Sequence, residues 1–254
     1  MLLAIDIGNT SVSLAVLKGK RVVANYLIEQ NASVRPLTQQ AVRTFKRIKR
    51  EYSSINSVII CSVVPKVLKH IESAVKTQWA VTPIIVGRDI KVPIGNKYHN
   101  PKQVGQDRLV CAYAAKVLYG APTIVIDLGT AITFDVVSAK GNYEGGMIVP
   151  GIRLSAEALF QKTALLPRID QIKSPKSLVG KNTRESILSG IFNGYGAMCS
   201  GLIDRVSKSM KGRAKVIVTG GYTHLMKKFI IHKIDKIEPN LVFLGLYLLN
   251  DRKQ

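Results

Sequence analysis

The chain repeats its own opening. Laid against itself at a shift of about 120 residues, Leu3-Ala4-Ile5-Asp6-Ile7-Gly8-Asn9-Thr10 matches Val125-Ile126-Asp127-Leu128-Gly129-Thr130. Each copy continues in an alternating apolar run, Val12, Leu14 and Val16 in the first and Ile132, Phe134 and Val136 in the second. Each run then turns at a Lys-Gly pair, Lys18-Gly19 or Lys140-Gly141, into a third. Period-two alternation broken by glycine turns is the mark of antiparallel strands. Each half should therefore open with a three-stranded meander whose first turn carries an acid and small polar groups.

Helical spacing follows in both halves. Helices are predicted over 37–52, from Pro65 to Trp79 with the proline opening the first turn, and over 156–161, 182–210 and 239–249. Buried strands are predicted over 58–61, 84–86 and 216–218. The stretch from Gly87 to Val104 is polar and without period, which suits a linker between halves. The expectation is an α/β fold of two related halves, residues 1–103 and 104–254, with a cleft between them.

Thirty-seven Lys and Arg against 16 Asp and Glu give a formal charge of +21. Such a surplus attracts polyanions: nucleic acids, acidic membranes or charged metabolites. The basic residues gather at Arg43–Arg50, Arg205–Lys215 and Lys227–Lys236, each on or near a helix. No zinc-finger, RNP or K-homology pattern accompanies them, so a solvated face is expected and a nucleic-acid partner is not. Asp6 interrupts the apolar N-terminus after five residues, and no run reaches the roughly 18 apolar residues of a membrane span, so a cytoplasmic location is expected. Cys61, Cys111 and Cys199 are too scattered for a disulfide framework and read as core residues. His70, His99, His224 and His232 form no metal-binding spacing.

The duplicated Asp-x-Gly turns carry the chemistry. Glycine lets backbone N–H groups approach phosphate oxygens, and Thr10, Ser11, Ser13, Thr130 and Thr133 add hydroxyls. A carboxylate beside phosphates is repulsive unless a cation lies between, so Asp6 and Asp127 should face magnesium, a monovalent ion or ordered water. Neither a G-x-x-x-x-G-K-[ST] loop nor a G-x-G-x-x-G after a strand is present, which disfavours P-loop and Rossmann enzymes. Thr219-Gly220-Gly221 follows an apolar strand, and is either a seat for a flat adenine ring or an ordinary strand-to-helix turn.

Asp107 sits at a loop-to-helix junction and is either a general base or a helix-start acid that stabilises the dipole. The positive end of the helix should depress its pKa and keep it an ionised acceptor of the substrate hydroxyl. Arg108 suits a carboxylate, a phosphate or a surface ion pair. Gly145–Gly151 is either a wall approaching a ligand or a structural turn. Asn182-Thr183-Arg184-Glu185 reads as a helix start, capped by Asn182 with Glu185 reaching back, and places Thr183 where an anion would bind. Gly190, Gly194, Ala197 and Gly201 form a small-residue stripe, suited to close helix packing or to a second copy of the chain.

Together these motifs resemble the type III pantothenate kinases of the actin-like superfamily. The likeness is carried by Asp6–Thr10 (DIGNT), Tyr98-x-Asn100-Pro101, Gly105–Arg108 (GQDR), Asp127–Ala131 (DLGTA), Gly145–Gly151, Gly180–Thr183 (GKNT) and Thr219–Gly221 (TGG). The resemblance implies ribonuclease H-like halves, each a mixed sheet with flanking helices. It implies phosphorylation of pantothenate to 4′-phosphopantothenate, on the way to coenzyme A, with ATP, Mg2+ and K+ or NH4+. It implies that Asp6, Ile7, Gly8, Asn9, Thr10, Ser11, Val12 and Ser13 form the first phosphate loop, with Thr130, Gly220 and Gly221 also at ATP. Asp127 would hold the monovalent cation. Tyr98, Gly105, Gln106, Asp107, Arg108 and Thr183 would line the substrate pocket, with Asp107 as proton acceptor, in a homodimer. Gln106 stands where the family usually has alanine. Two other readings are a regulator that keeps the kinase fold, motivated by the charge, and a kinase of another small molecule.

Overall fold

The computed structural model describes residues 1–30, 34–210, 213–230 and 233–252. Lys211 and Gly212 of the second basic cluster, and Ile231 and His232 of the third, lie outside the described residues. The chain divides into two compact units, one of Met1–Ile94, His99–Ala114 and Asn240–Gln254, the other of Gly95–Tyr98 and Ala115–Pro239. These units differ from the expected halves 1–103 and 104–254.

In the first unit, β1 (Leu2–Ile7), β2 (Ser11–Lys18), β3 (Arg21–Glu29), β4 (Ser57–Ser62) and β5 (Ile84–Ile85) form a sheet in the order β3-β2-β1-β4-β5. β2 runs antiparallel to β1, and β4 parallel to it. One face carries Leu3, Ile5, Ile7, Leu14 and Val16 into a core with two helices, α1 (Val34–Glu51) and α2 (Pro65–Trp79). On α1, Leu37, Ala41, Phe45 and Ile48 recur at helical spacing and are buried, whereas Arg43, Lys46, Arg47, Lys49 and Arg50 point to solvent. The first basic cluster is thus the solvated side of an amphipathic helix. Phe45 meets Trp79 of α2 edge to face at 5.3 Å.

The helix that closes the chain, α7 (Leu241–Asp251), packs on β1 and β4. Ser57 Oγ donates to Asn250 Oδ1 at 2.7 Å, tying β4 to it. α7 also abuts the start of α3 (Gln106–Tyr119): a Cβ on Gly245 would stand 2.7 Å from the Val110 carbonyl. This apolar helix accounts for the return of the last residues to the first unit.

The second unit repeats the plan. Strands β6 (Gly95–Asn96), β7 (Thr123–Leu128), β8 (Ala131–Val137), β9 (Asn142–Pro150), β10 (Lys215–Thr219) and β11 (Lys236–Ile237) order as β11-β10-β7-β8-β9-β6. Ile124, Ile126, Leu128, Ile132 and Phe134 face a core shared with α4 (Ile152–Lys162), α5 (Thr183–Ser209) and α6 (Thr223–Ile230).

The duplication holds at the level of register. Asp6 stands opposite Ser13 across β1 and β2, and Asp127 opposite Thr133 across β7 and β8. The next hairpin is bulged between Val16 and Leu17 in one copy and between Val136 and Val137 in the other. Both sheets therefore twist at the same place in the repeat. β6, β11 and α6 went unpredicted, being short or lacking a clear period. β6 lies inside the stretch read as a linker, which instead adds a strand to the second sheet beside β9.

Candidate active site

Asp6 lies at the C-terminal end of β1, where the chain turns into β2. Ile7 and Val12 are fully buried in the core, so only their backbones can serve a ligand. Asn9 and Thr10 are exposed at the tip. The turn closes with the Gly8 N–H donating to the Ser11 carbonyl at 3.0 Å. Gln30, just past β3, holds it from the side. Its backbone N–H donates to the Thr10 carbonyl at 2.8 Å, and its Nε2 donates to the Gly8 carbonyl at 2.6 Å. Three carbonyls that would repel phosphate are thereby engaged by internal donors. No motif marked Gln30, because its contacts depend on the pairing of β3.

Asp107 is the second residue of α3. The Arg108 N–H donates to its Oδ1 at 2.8 Å. The same oxygen occupies the space of a side chain at Gly105, which explains the glycine before it. Burial pushes the Asp107 carboxyl above its ordinary value, against the pull of backbone N–H groups and the Arg108 charge. The sequence expectation of a depressed pKa is therefore corrected: at this helix start, lost hydration outweighs the helix end.

Cys61 feels the charge of both carboxylates. It is the register partner of Asp6 on β4 and is fully buried. Its thiol is pushed well up, first by burial and then by the negative charges of Asp6 and Asp107. The charges of two acids far apart in sequence thus act on one thiol. All three cysteines are buried in the core and form no disulfide.

Gln106 turns its side chain onto Gly87, in the loop after β5. A Cβ on Gly87 would lie 3.0 Å from Gln106 Cδ and 3.2 Å from its Oε1. Gly87 also has a φ of 87°, so its backbone favours glycine on its own account.

In the second unit, the Asp127 carboxylate enters the glycine turn after β10. A side chain on Gly220 would collide with Asp127 Oδ1, and one on Gly129 would lie 3.1 Å from it. The Tyr222 N–H donates to the Leu128 carbonyl at 3.0 Å, and the Gly151 N–H to the Thr130 carbonyl at 3.0 Å. The turns at Gly129-Thr130, Gly151 and Thr219-Gly220 are thereby joined. Gly151 approaches backbone: its Cβ would stand 2.5 Å from the Gly129 carbonyl oxygen. Gly221 is exposed, with nothing within 4 Å of an added Cβ.

Tyr98 lays its ring over Gly145, whose Cβ would meet ring carbons at 3.5 Å. Thr183 is exposed as the first residue of α5. Its cap forms as expected, with Asn182 Oδ1 accepting the Glu185 N–H at 2.9 Å. Glu185 reaches one residue further back than a capping box requires, accepting the Lys181 N–H at 2.9 Å. Close packing against α6 falls to Gly196, whose Cβ would lie 2.8 Å from the Phe229 carbonyl, rather than to the stripe.

Among the described residues, no three His, Cys, Asp or Glu side chains gather into a metal cage. The residues fit another kind of ion site. Asp127, in a cradle of glycine backbone, suits a cation completed by hydroxyl, carbonyl or phosphate oxygens, and Mg2+ is commonly held through substrate phosphates.

A family model described as type III pantothenate kinase matches residues 2–205. A type III pantothenate kinase of Persephonella marina is 44% identical over 252 residues, covering 97% of each chain. One from Halalkalibacterium halodurans is 40% identical over 254 residues, covering 98% of each. Among solved structures, a Campylobacter jejuni protein described as a Baf family transcriptional activator superposes with a TM-score of 0.60 at 18% identity, over 99% of this chain and 98% of that one. The fold, two related halves that are each a mixed sheet with flanking helices, is shared with a ROK hexokinase of Thermus thermophilus, which superposes with a TM-score of 0.50 at 12% identity over 100% of this chain and 99% of that one. By its sequence match, supported by its paired acid turns, the chain belongs to the type III pantothenate kinase family.

Proposed function

We propose that this chain transfers the γ-phosphoryl group of ATP to the hydroxyl of pantothenate, giving 4′-phosphopantothenate and ADP at the start of coenzyme A synthesis. The observation that carries this reading is the duplicated acid turn, Asp6 opposite Ser13 and Asp127 opposite Thr133, in a chain that matches the family model over residues 2–205.

Phosphoryl transfer leaves the protein mainly the tasks of positioning and charge stabilisation. Asp107 accepts the proton of the attacking hydroxyl as the bond to phosphorus forms and the bond to the ADP oxygen breaks. Its raised pKa brings it nearer the working pH, which improves a general base as long as it stays ionised. Arg108 holds the pantothenate carboxylate through its forked donors. Tyr98, Gly105, Gln106 and Thr183 line the substrate pocket, Gln106 through its backbone. Residues from Asp6 to Ser13 form the first phosphate loop, Thr130 reaches ATP from the second, and Gly220 and Gly221 leave room for adenine. Mg2+ would be held mainly through the nucleotide's phosphates and would supply charge neutralisation there. Asp127 is the ligand of a monovalent cation, K+ or NH4+.

The protein acts as a cytoplasmic homodimer in this reading. Gly190, Gly194 and Gly201 support the dimer, since an added Cβ at each meets nothing within 4 Å and the stripe is left open. No helix among the described residues is long and apolar enough to cross a membrane. ADP release is measured with ATP, Mg2+ and K+, with and without pantothenate and against a panel of sugars and acids. Pantothenate-dependent release is the expected result, and turnover with a sugar alone would overturn the substrate assignment.

A further inference from the structure

The two acid turns differ in what stands behind them. In the second repeat, Thr133 lies opposite Asp127 and shares a sheet face with Asp135, two residues along β8. Thr133 Oγ donates to Asp135 Oδ2 at 3.2 Å, and the Tyr143 hydroxyl donates to Asp135 Oδ1 at 2.8 Å. Asp135 is 1% exposed and Tyr143 is fully buried. In the first repeat the register equivalents are Ser13 opposite Asp6, with Ala15 in the place of Asp135 and Val22 in the place of Tyr143.

A buried carboxylate is costly unless its oxygens accept hydrogen bonds. The second repeat has both the acid and donors for it, where the first builds the same hairpin with alanine and valine. The fold therefore does not require the pair, and its chemical effect falls on Thr133. A threonine hydroxyl has one proton and two lone pairs. With the proton directed at Asp135, only lone pairs remain for anything bound beside Asp127. Ser13, backed by an alanine, can turn its proton towards a phosphate oxygen.

We propose that Asp135, held by Tyr143, is a positioning residue that fixes Thr133 as an acceptor, so that its hydroxyl oxygen joins the Asp127 carboxylate in binding a monovalent cation. The repeated turns are thereby divided in labour, the first for phosphate and the second for cation. This rests on the reading of Asp127 as a cation ligand.

The test is thermal melting of the full chain with ADP and Mg2+, as K+ replaces tetramethylammonium at constant ionic strength. K+ is expected to raise the melting temperature of the wild type along a saturable curve. Asp135→Asn and Thr133→Val should raise the half-saturating K+ concentration by about 10- to 100-fold, as outer-shell substitutions do at other metal sites. Thr133→Ser, which keeps the hydroxyl, should stay close to the wild type. Tyr143→Phe, which preserves the packing, should shift the midpoint in the same direction and serves if Asp135→Asn does not fold. A purely structural role would lower the melting temperature without moving the K+ midpoint. That result in Asp135→Asn or Tyr143→Phe overturns the positioning role alone. A wild type indifferent to both K+ and NH4+ overturns the cation reading itself, and this inference with it, before any variant is measured.

Discussion

The carboxylate of Asp127 fills the space that a side chain at Gly220 would need. The two residues lie at the ends of neighbouring parallel strands, Asp127 pairing with Thr219 in the ladder. Gly220 therefore answers two demands, a φ of 95° and the approach of an acid. Read along the sequence, DLGT and TGG are separate motifs for phosphate and adenine. In the fold they form one surface.

Gly220→Ala should be costly and Gly221→Ala tolerated. The first forces an L-residue into a left-handed conformation and drives its Cβ to 2.6 Å from the Leu128 backbone. Displacement of Asp127 adds to a strain of about 1–3 kcal/mol, so a drop in melting temperature and loss of turnover are expected. Gly221→Ala meets open space and should melt like the wild type. If an adenine ring lies there, its KM for ATP rises while kcat holds. Equal melting temperatures for both variants would contradict the packing described.

Asp107→Asn should remove the proton acceptor and lower kcat by about 10²–10⁴-fold. Because burial raises the folded-state pKa, the acid limb of kcat/KM should lie higher than an unperturbed aspartate would place it. Activity is lost as pH falls through that raised value, since only the ionised form accepts a proton. Stability runs the other way. A raised carboxyl pKa favours the fold below the unfolded value, and that contribution disappears as pH rises through the folded pKa. At neutral pH the buried charge is a cost, so Asp107→Asn should melt no lower than the wild type while being inactive. Retained turnover in a folded Asp107→Asn protein rejects Asp107 as base.

Gln30→Ala should loosen the first phosphate turn. Loss of the 2.6 Å bond from Nε2 to the Gly8 carbonyl removes about 1 kcal/mol, visible as a lower denaturation midpoint. The KM for ATP should rise more than that for pantothenate, because the bond holds the turn proposed for the ATP phosphates. Gln30→Glu separates hydrogen bonding from packing: it keeps the shape but sets a carboxylate oxygen against a carbonyl, and should do worse than alanine. An alanine variant with unchanged KM for ATP would show the latch to be structural only.

The repeat, the strands flanking its turns and the longer helices were legible because each leaves a local record: alternation, a proline opening α2, an asparagine capping α5. What was missed depends on partners distant in sequence. β6 exists because β9 offers an edge, and Gln30 matters because β3 pairs where it does. The sequence puts Asp107 at a helix start, as the fold does, and predicts a lowered pKa where burial raises it. The helix end is written in sequence and the burial around it is not. The return of α7 to the first unit was equally invisible, since an apolar helix does not say which sheet it covers.

Gln106 gives the last test, because it departs from the alanine that the family resemblance leads one to expect. Its side chain lies over Gly87, so the substitution fills space beside a glycine of the same unit. Gln106→Ala should therefore change the KM for pantothenate by less than about threefold, under 1 kcal/mol, and lower the denaturation midpoint slightly. Gly87→Ala should be worse, since it meets Gln106 and must also adopt a φ of 87°. Combining the two relieves the contact but not the backbone, so the double variant should recover only part of the lost stability. A tenfold rise in KM for pantothenate in Gln106→Ala, with the midpoint unchanged, would instead assign the glutamine side chain to substrate recognition.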